Sequence, residues 1–310
     1  MDGFFHAISS VSVILLLTAT GYFCAAMGWL NAEGKKFISK FLMTIAVPSM
    51  CVYSLNTNIT REMIGESLLL LFIPFSNSIL CLILSGLLAK LMRLPRKQVG
   101  VFMTMCSLSN CVFIGFGMCT ELFGDAASVY VTLFYLINTI FIHLVSVPLI
   151  RWPSESEGFS GKTLRKFLKT PSMLGILTGL SLVMLHIKLP QFLLSFGRYM
   201  NNLVSPLALL LTGFIIHEIG LRNLKMSIPV LWTMGFRFLL APALCILLCA
   251  VFDITGLARS VFIVESAMPV ITMTVVAASE YGADEQMAAQ GAAITTLACF
   301  IVIPVLMLFC

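Results

Sequence analysis

Two stretches of this 310-residue chain combine polar side chains with backbone breaks in a way that could do chemistry. The first, Ser107-Leu108-Ser109-Asn110-Cys111-Val112-Phe113-Ile114-Gly115-Phe116-Gly117-Met118, lies inside an apolar run from Val99 to Thr120. The second is the apolar run from Ser260 to Ala278, broken at its centre by Pro269, with Glu265, Ser266 and Thr272 close by. In hydrocarbon every backbone N–H and C=O must find a partner, so such helix-weakening clusters are tolerated only beside protein or water. An interrupted helix ends two half-helices near mid-depth. Their N-termini present unpaired N–H groups and a positive dipole end, and the unwound carbonyls offer sites for cations. A pair of such breaks can hold a carboxylate without a full buried positive charge. Asn110, Gly115, Pro269 and Thr272 are therefore candidate substrate-binding residues. The competing reading of Asn110 and its glycines is tight helix packing through small residues.

Arg237 and Glu265 are the other candidate substrate-binding residues. Each is flanked by apolar residues well inside a span, where an unpaired charge costs at least ~2.5–3.5 kcal/mol. Mutual pairing, or exposure to a watery cavity, is the least costly arrangement. Arg237 is also a natural carboxylate clamp, being planar and permanently charged. Glu265 could carry a proton, with a nearby arginine opposing that role. Pro48 and Pro206 are expected to kink their helices and, with Gly117, are candidate hinge or gate positions. Asn138 and His143 read as satisfied interior polar groups. No H-E-x-x-H, G-x-S-x-G or P-loop is present and no aspartate lies deep in a span, so an enzyme is not expected. The ten cysteines fall in apolar runs without a C-x-x-C pair and read as packing residues, leaving no metal site or cofactor in view.

The elements that must position these residues follow from composition. The chain is 59% hydrophobic and 11% charged, with a mean hydropathy of +1.01, which only a polytopic membrane protein accommodates. The net charge of +5 comes from loops and reports on orientation rather than on nucleic acid. Taking ~20 apolar residues per span, ten helices are predicted, at about 6–29, 36–55, 66–91, 98–121, 126–150, 171–187, 191–217, 226–252, 257–280 and 285–309. A polar loop, 151–170, divides five helices (1–150) from five (171–310). Lys35, Lys36 and Lys40, the Lys90–Lys97 group, Arg222, Lys225 and the basic residues of the central loop place fourteen cations on one side. Only Arg61, Lys188, Arg198 and Arg259 face the other. The positive-inside rule then puts the central loop in the cytoplasm and both termini outside the plasma membrane.

The halves resemble each other. At an offset of 158, Gly21 falls on Gly179, Lys40 on Arg198, Pro48 on Pro206 and Phe123-Gly124 on Tyr281-Gly282, while Pro269 lands one residue past the position of Asn110. A duplicated unit of five helices must be inverted in the membrane, as in many secondary carriers.

With these stretches in view, the chain resembles the auxin efflux carrier family in its compact bacterial form. The similarity rests on Ser109-Asn110-x-x-Phe113-x-Gly115, on Ser205-Pro206-Leu207-Ala208-Leu209-Leu210-Leu211-Thr212-Gly213 and on Arg237-Phe238-Leu239-Leu240-Ala241-Pro242. Ala267-Met268-Pro269 followed by Ala278-x-x-Tyr281-Gly282 adds to it. One departure stands out: Gly117-Met118 occupies the place where the family commonly has a proline after the helix 4 glycine. The resemblance implies an all-α membrane protein of ten transmembrane helices in two inverted five-helix repeats, with helices 4 and 9 interrupted and crossing near the site. It also implies substrates that are organic acids such as auxin, malonate or malate. The expectation is a secondary transporter of small organic anions working by alternating access. Its expected partners are the anion, the lipid bilayer and a coupling proton or sodium ion, with no nucleic acid and with a homodimer left open. The alternative is a channel or a non-transporting membrane sensor on the same bundle.

Overall fold

The computed structural model describes residues 2–58, 61–151, 169–220 and 224–307, so most of the central loop expected at 151–170 lies outside them. Among the described residues the chain is helical with no strand. The helices are α1 (Asp2–Ala26), α2 (Ala32–Thr57), α3 (Arg61–Leu91), α4 (Arg96–Ser107), α5 (Cys111–Phe123), α6 (Ala127–Arg151) and α7 (Pro171–Met184). They continue with α8 (Gln191–Ile219), α9 (Ile228–Val251), α10 (Gly256–Ser266), α11 (Met273–Glu280) and α12 (Glu285–Leu306). Six of these, α2, α3, α6, α8, α9 and α12, are long and apolar enough to cross a membrane. The stretches expected as interrupted helices at 98–121 and 257–280 are each two half-helices, α4 with α5 and α10 with α11. The first helix ends sooner than its apolar run suggests, because Gly28 at φ +73 turns the chain.

The exterior is apolar and the interior holds the polar groups. Leu16, Leu87, Leu239 and Ile301 are more than half exposed, while Asn77, Asn138, Arg237 and Glu265 are buried. That inversion is what lipid as solvent demands.

Three prolines shape their helices by one rule. A five-residue π turn ends two residues before each of Pro48, Pro148 and Pro242, at Leu42–Ala46, Ile142–Ser146 and Phe236–Leu240. Proline has no N–H to donate and its ring crowds the carbonyl four residues back. The wider turn moves that carbonyl aside and lets the helix continue. Pro206, inside α8, is passed without such a turn.

The helices fall into two packed groups. In the first, α1 lies along α8, and α2 packs on α7 and α8. The second gathers α3, α4, α6, α9, α10, α11 and α12 around the two breaks, with the start of α5 touching α8 in the first group. The α1–α8 contact is backbone on backbone: a methyl on Gly213 would sit 2.6 Å from the Tyr22 amide nitrogen, and one on Gly21 would sit 2.7 Å from Leu210 Cα. Lipid gives no hydrophobic drive for helices to associate, so close approach through small residues has to supply the dispersion energy.

Gly213→Ala is expected to lower the stability of the purified protein by about 1–3 kcal/mol through overpacking. Gly235→Ala, where no atom stands within 4 Å of the new methyl, is expected to leave stability unchanged or raised. Thermal unfolding in detergent checks the pair, and equal melting temperatures would remove the backbone contact from the account.

Candidate functional site

Two chain segments pass each other where the helices break. Leu108 leaves α4 in extended conformation (φ −113°, ψ 139°), and Ser109 forms an antiparallel bridge with Val270. The Asn110 N–H donates to the Pro269 carbonyl at 2.8 Å, which brings the two residues singled out in the sequence into direct contact. Two further backbone groups of the crossing find side-chain partners. Asn138 Nδ2 of α6 donates to the Ser109 carbonyl at 2.7 Å, and the Val270 N–H donates to Thr295 Oγ1 of α12 at 3.1 Å. Buried backbone groups must be paired, and these side chains do what the missing helical turns would have done.

The four half-helix ends at the crossing are sorted by charge. Arg237 projects from the π turn of α9 and is 1% exposed. Its Nη2 donates to the Ser266 carbonyl at 2.6 Å, its Nε to the Met268 carbonyl at 2.9 Å and its Nη1 to the Cys106 carbonyl at 3.5 Å. Cys106 and Ser266 lie in the last turns of α4 and α10, so one guanidinium caps the negative ends of both. The positive ends meet elsewhere. Asn110 caps the start of α5, its Oδ1 accepting from the Phe113 N–H at 3.3 Å, and Thr272 stands at the start of α11 without a side-chain cap bond of its own. The two side chains are joined to each other, Asn110 Nδ2 donating to Thr272 Oγ1 at 3.3 Å. Asn110 is buried and Thr272 partly exposed, so the meeting point of the two helix starts borders accessible space.

Arg237 and Glu265 do not form an ion pair, which was one of the arrangements open to them. The guanidinium is occupied by carbonyls, whereas the Glu265 carboxyl, 0% exposed, turns toward α5. There Cys119 Sγ donates to its Oε1 at 3.4 Å, and a methyl on Gly115 would come within 2.6 Å of Oε1. Gly115 is thus the packing surface for Glu265, and its N–H donates to the Asn110 carbonyl at 3.0 Å. Gly117 lies against α8, where a methyl would sit 3.1 Å from Oγ of Ser205, the residue before Pro206. Pro48 is remote from the crossing; it packs beside Gly175 and lines an apolar groove of about 380 Å³ with Tyr53, Leu182, Leu193 and Gly197.

Sequence reasoning passed over two contributors. Thr295 looks like an ordinary helical threonine bonded back to its own helix, which it also is through the Gly291 carbonyl at 2.7 Å. Asn138 carried a signal, a lone amide in an apolar helix, but not the identity of the carbonyl it serves.

A family model described as membrane transport protein matches residues 6–307. An uncharacterized transporter of Methanocaldococcus jannaschii is 27% identical over an alignment covering 94% of this chain and 95% of that protein. A second uncharacterized transporter, from Methanothermobacter thermautotrophicus, is 24% identical with 97% of each chain covered. With a match over nearly its whole length, and apolar helices that make it a multi-pass membrane protein, the chain belongs to the membrane transport protein family of the auxin efflux carrier type.

Proposed function

We propose that the protein is a secondary carrier of small organic anions, of the carboxylate class that includes auxin, malonate and malate, operating by alternating access. The observation that carries this reading is the charge sorting at the crossing. Among the described residues the side-chain cation at the breaks, Arg237, is already spent on the negative helix ends, while two positive helix starts converge on Asn110 and Thr272. Helix N-termini with polar side chains beside them form a ready anion site. In this reading Asn110 and Thr272 bind the carboxylate, Pro269 holds the crossing open, and Arg237 acts as the clamp that fixes its geometry. Gly117 beside Ser205, with Pro206 next to it, is the contact across which the two helix groups move.

The proposal includes ten spans in two inverted repeats. Supporting it, Ala32 and Gln191 begin α2 and α8, 159 residues apart, and Ala127 and Glu285 begin α6 and α12, 158 apart. The two helices of the latter pair supply Asn138 and Thr295, one to each crossing segment. Gly124 and Gly282, again 158 apart, follow α5 and α11 with φ of +78° and +65°. The basic asymmetry of the loops supports a cytoplasmic central loop in the plasma membrane. A single cysteine at Ser160, in a background stripped of reactive thiols, is expected to resist an impermeant maleimide in intact cells; ready labelling would reverse the orientation.

Counterflow in proteoliposomes tests the carrier itself: preloaded unlabelled malonate should accelerate uptake of labelled malonate, which a channel does not do. Asn110→Leu is expected to abolish that exchange while costing about 0.5–2 kcal/mol of stability, the range for loss of a helix cap. Pro269→Ala should slow exchange by letting the break re-form as helix. Normal exchange by both variants would move the site elsewhere.

Arg237→Gln removes the donors to three buried carbonyls, each costing about 1–3 kcal/mol when left unpaired. It should therefore lower the melting temperature more than Asn110→Leu does, and adding Glu265→Gln should not restore it. Recovery in the double variant would assign Arg237 to neutralising Glu265 instead.

A further inference from the structure

Glu265 is a fully buried carboxyl that the anion site does not use. It lies in the last turn of α10 at 0% exposure, with Oε1 accepting from the Cys119 thiol and Oε2 without a hydrogen-bond partner. Among the described residues no cation forms an ion pair with it, although Arg237 is close enough to act on it through its charge. The Arg237 donors go to the carbonyls of Cys106, Ser266 and Met268. The other titratable groups described on the elements packed around it are Cys111, Cys119 and Glu121 of α5, Tyr130, Tyr135, His143 and Arg151 of α6, Cys81 and Lys90 of α3, and Cys245 and Cys249 of α9, and of these only the Cys119 thiol bonds to it. A carboxylate in this position would be a charge without an ion-pair partner in a low-dielectric interior. A neutral carboxylic acid leaves only one hydroxyl unmatched.

The surroundings also select among monovalent cations. A methyl on Gly115 would lie 2.6 Å from Oε1 and 2.8 Å from Cδ, so the carboxyl rests directly on the backbone of α5. The facing groups there are a Cα and a thiol. A hard metal cation needs several oxygen ligands around it, and this contact offers neither the oxygens nor the room. A proton needs neither.

We propose that Glu265 is the proton-binding site of this protein, a neutral acid while α10 packs on α5 and exchanging with water when the two separate. The step is a simple protonation: a proton from water forms the Oε2–H bond, and on release it returns to water while the carboxylate keeps the electron pair. The proposal rests on the carrier reading, since it names that carrier's coupling ion. Its link to the anion site runs through the backbone. The Glu265 carbonyl accepts from the Met268 N–H at 3.2 Å, and Met268 is one of the residues clamped by Arg237 next to Pro269.

Infrared spectroscopy of the full chain in nanodiscs reads the protonation state without any substrate. The C=O stretch of a neutral carboxylic acid should be present, shift in D₂O and vanish in Glu265→Gln. Cys119→Ser, which keeps a donor to Oε1 but makes it stronger, should shift the same band to lower frequency. Loss of an ionised carboxylate band in Glu265→Gln overturns the proposal, and so does a neutral-acid band that ignores Cys119→Ser. In proteoliposomes, malonate entry should carry protons, seen with an internal pH dye, and that proton movement should be lost in Glu265→Gln; undiminished proton movement in the variant also overturns it. Failure of the unaltered protein to move malonate at all would count against the carrier reading, while the infrared result would still decide Glu265.

Discussion

A broken helix in a dry interior exposes carbonyls that no water can satisfy, and the Arg237 guanidinium is what makes two such breaks tolerable at one place. Its planar fork reaches the ends of α4 and α10 together, with donors at 2.6 and 2.9 Å on the α10 side. A lysine would bring a compact point charge to the same spot without that geometry. Because a single cation serves both negative ends, the positive ends are left with only an amide and a hydroxyl between them. The local electrostatic asymmetry therefore comes from how one side chain is spent, and no second buried charge has to be introduced to favour an anion.

Around that centre, the packing rules are those of a lipid-solvated bundle. Glycines mark where backbone meets backbone, as between α1 and α8, or where a polar group is pressed into a helix, as with Glu265 on Gly115. Polar side chains in the interior are engaged with backbone groups more than with each other: Asn138 with Ser109, Thr295 with Val270, Arg237 with three carbonyls. Interactions of this kind fix the position of the unwound segments and so give the crossing one defined shape.

How much of this could be read beforehand depends on what has a letter in the sequence. The two breaks were legible because polar residues, glycines and a proline interrupt apolar runs, and Asn110 and Pro269 stand where the chain unwinds. The helical class was legible from hydropathy. The partners of Arg237 were not, because carbonyls are carried by every residue; side-chain types suggested only a pairing with Glu265, a watery cavity or a clamp on a carboxylate. Gly115 was read as part of a ligand site, while its absent Cβ actually makes room for Glu265 from a helix about 150 residues away in sequence. Non-local contacts of that sort leave no local periodicity to detect.

The π turns have an effect on rotational phase. A π turn places one extra residue in a helix, which advances everything beyond it by about 100° relative to an uninterrupted α-helix. Arg237 sits inside such a turn, Phe236–Leu240, and the turn exists because Pro242 follows it. The azimuth of the guanidinium, and with it the convergence of α4 and α10 on one cation, is thereby set by a proline five residues further along the chain. Pro242 makes no entry in the hydrogen bonding of the crossing, yet it decides which way α9 faces.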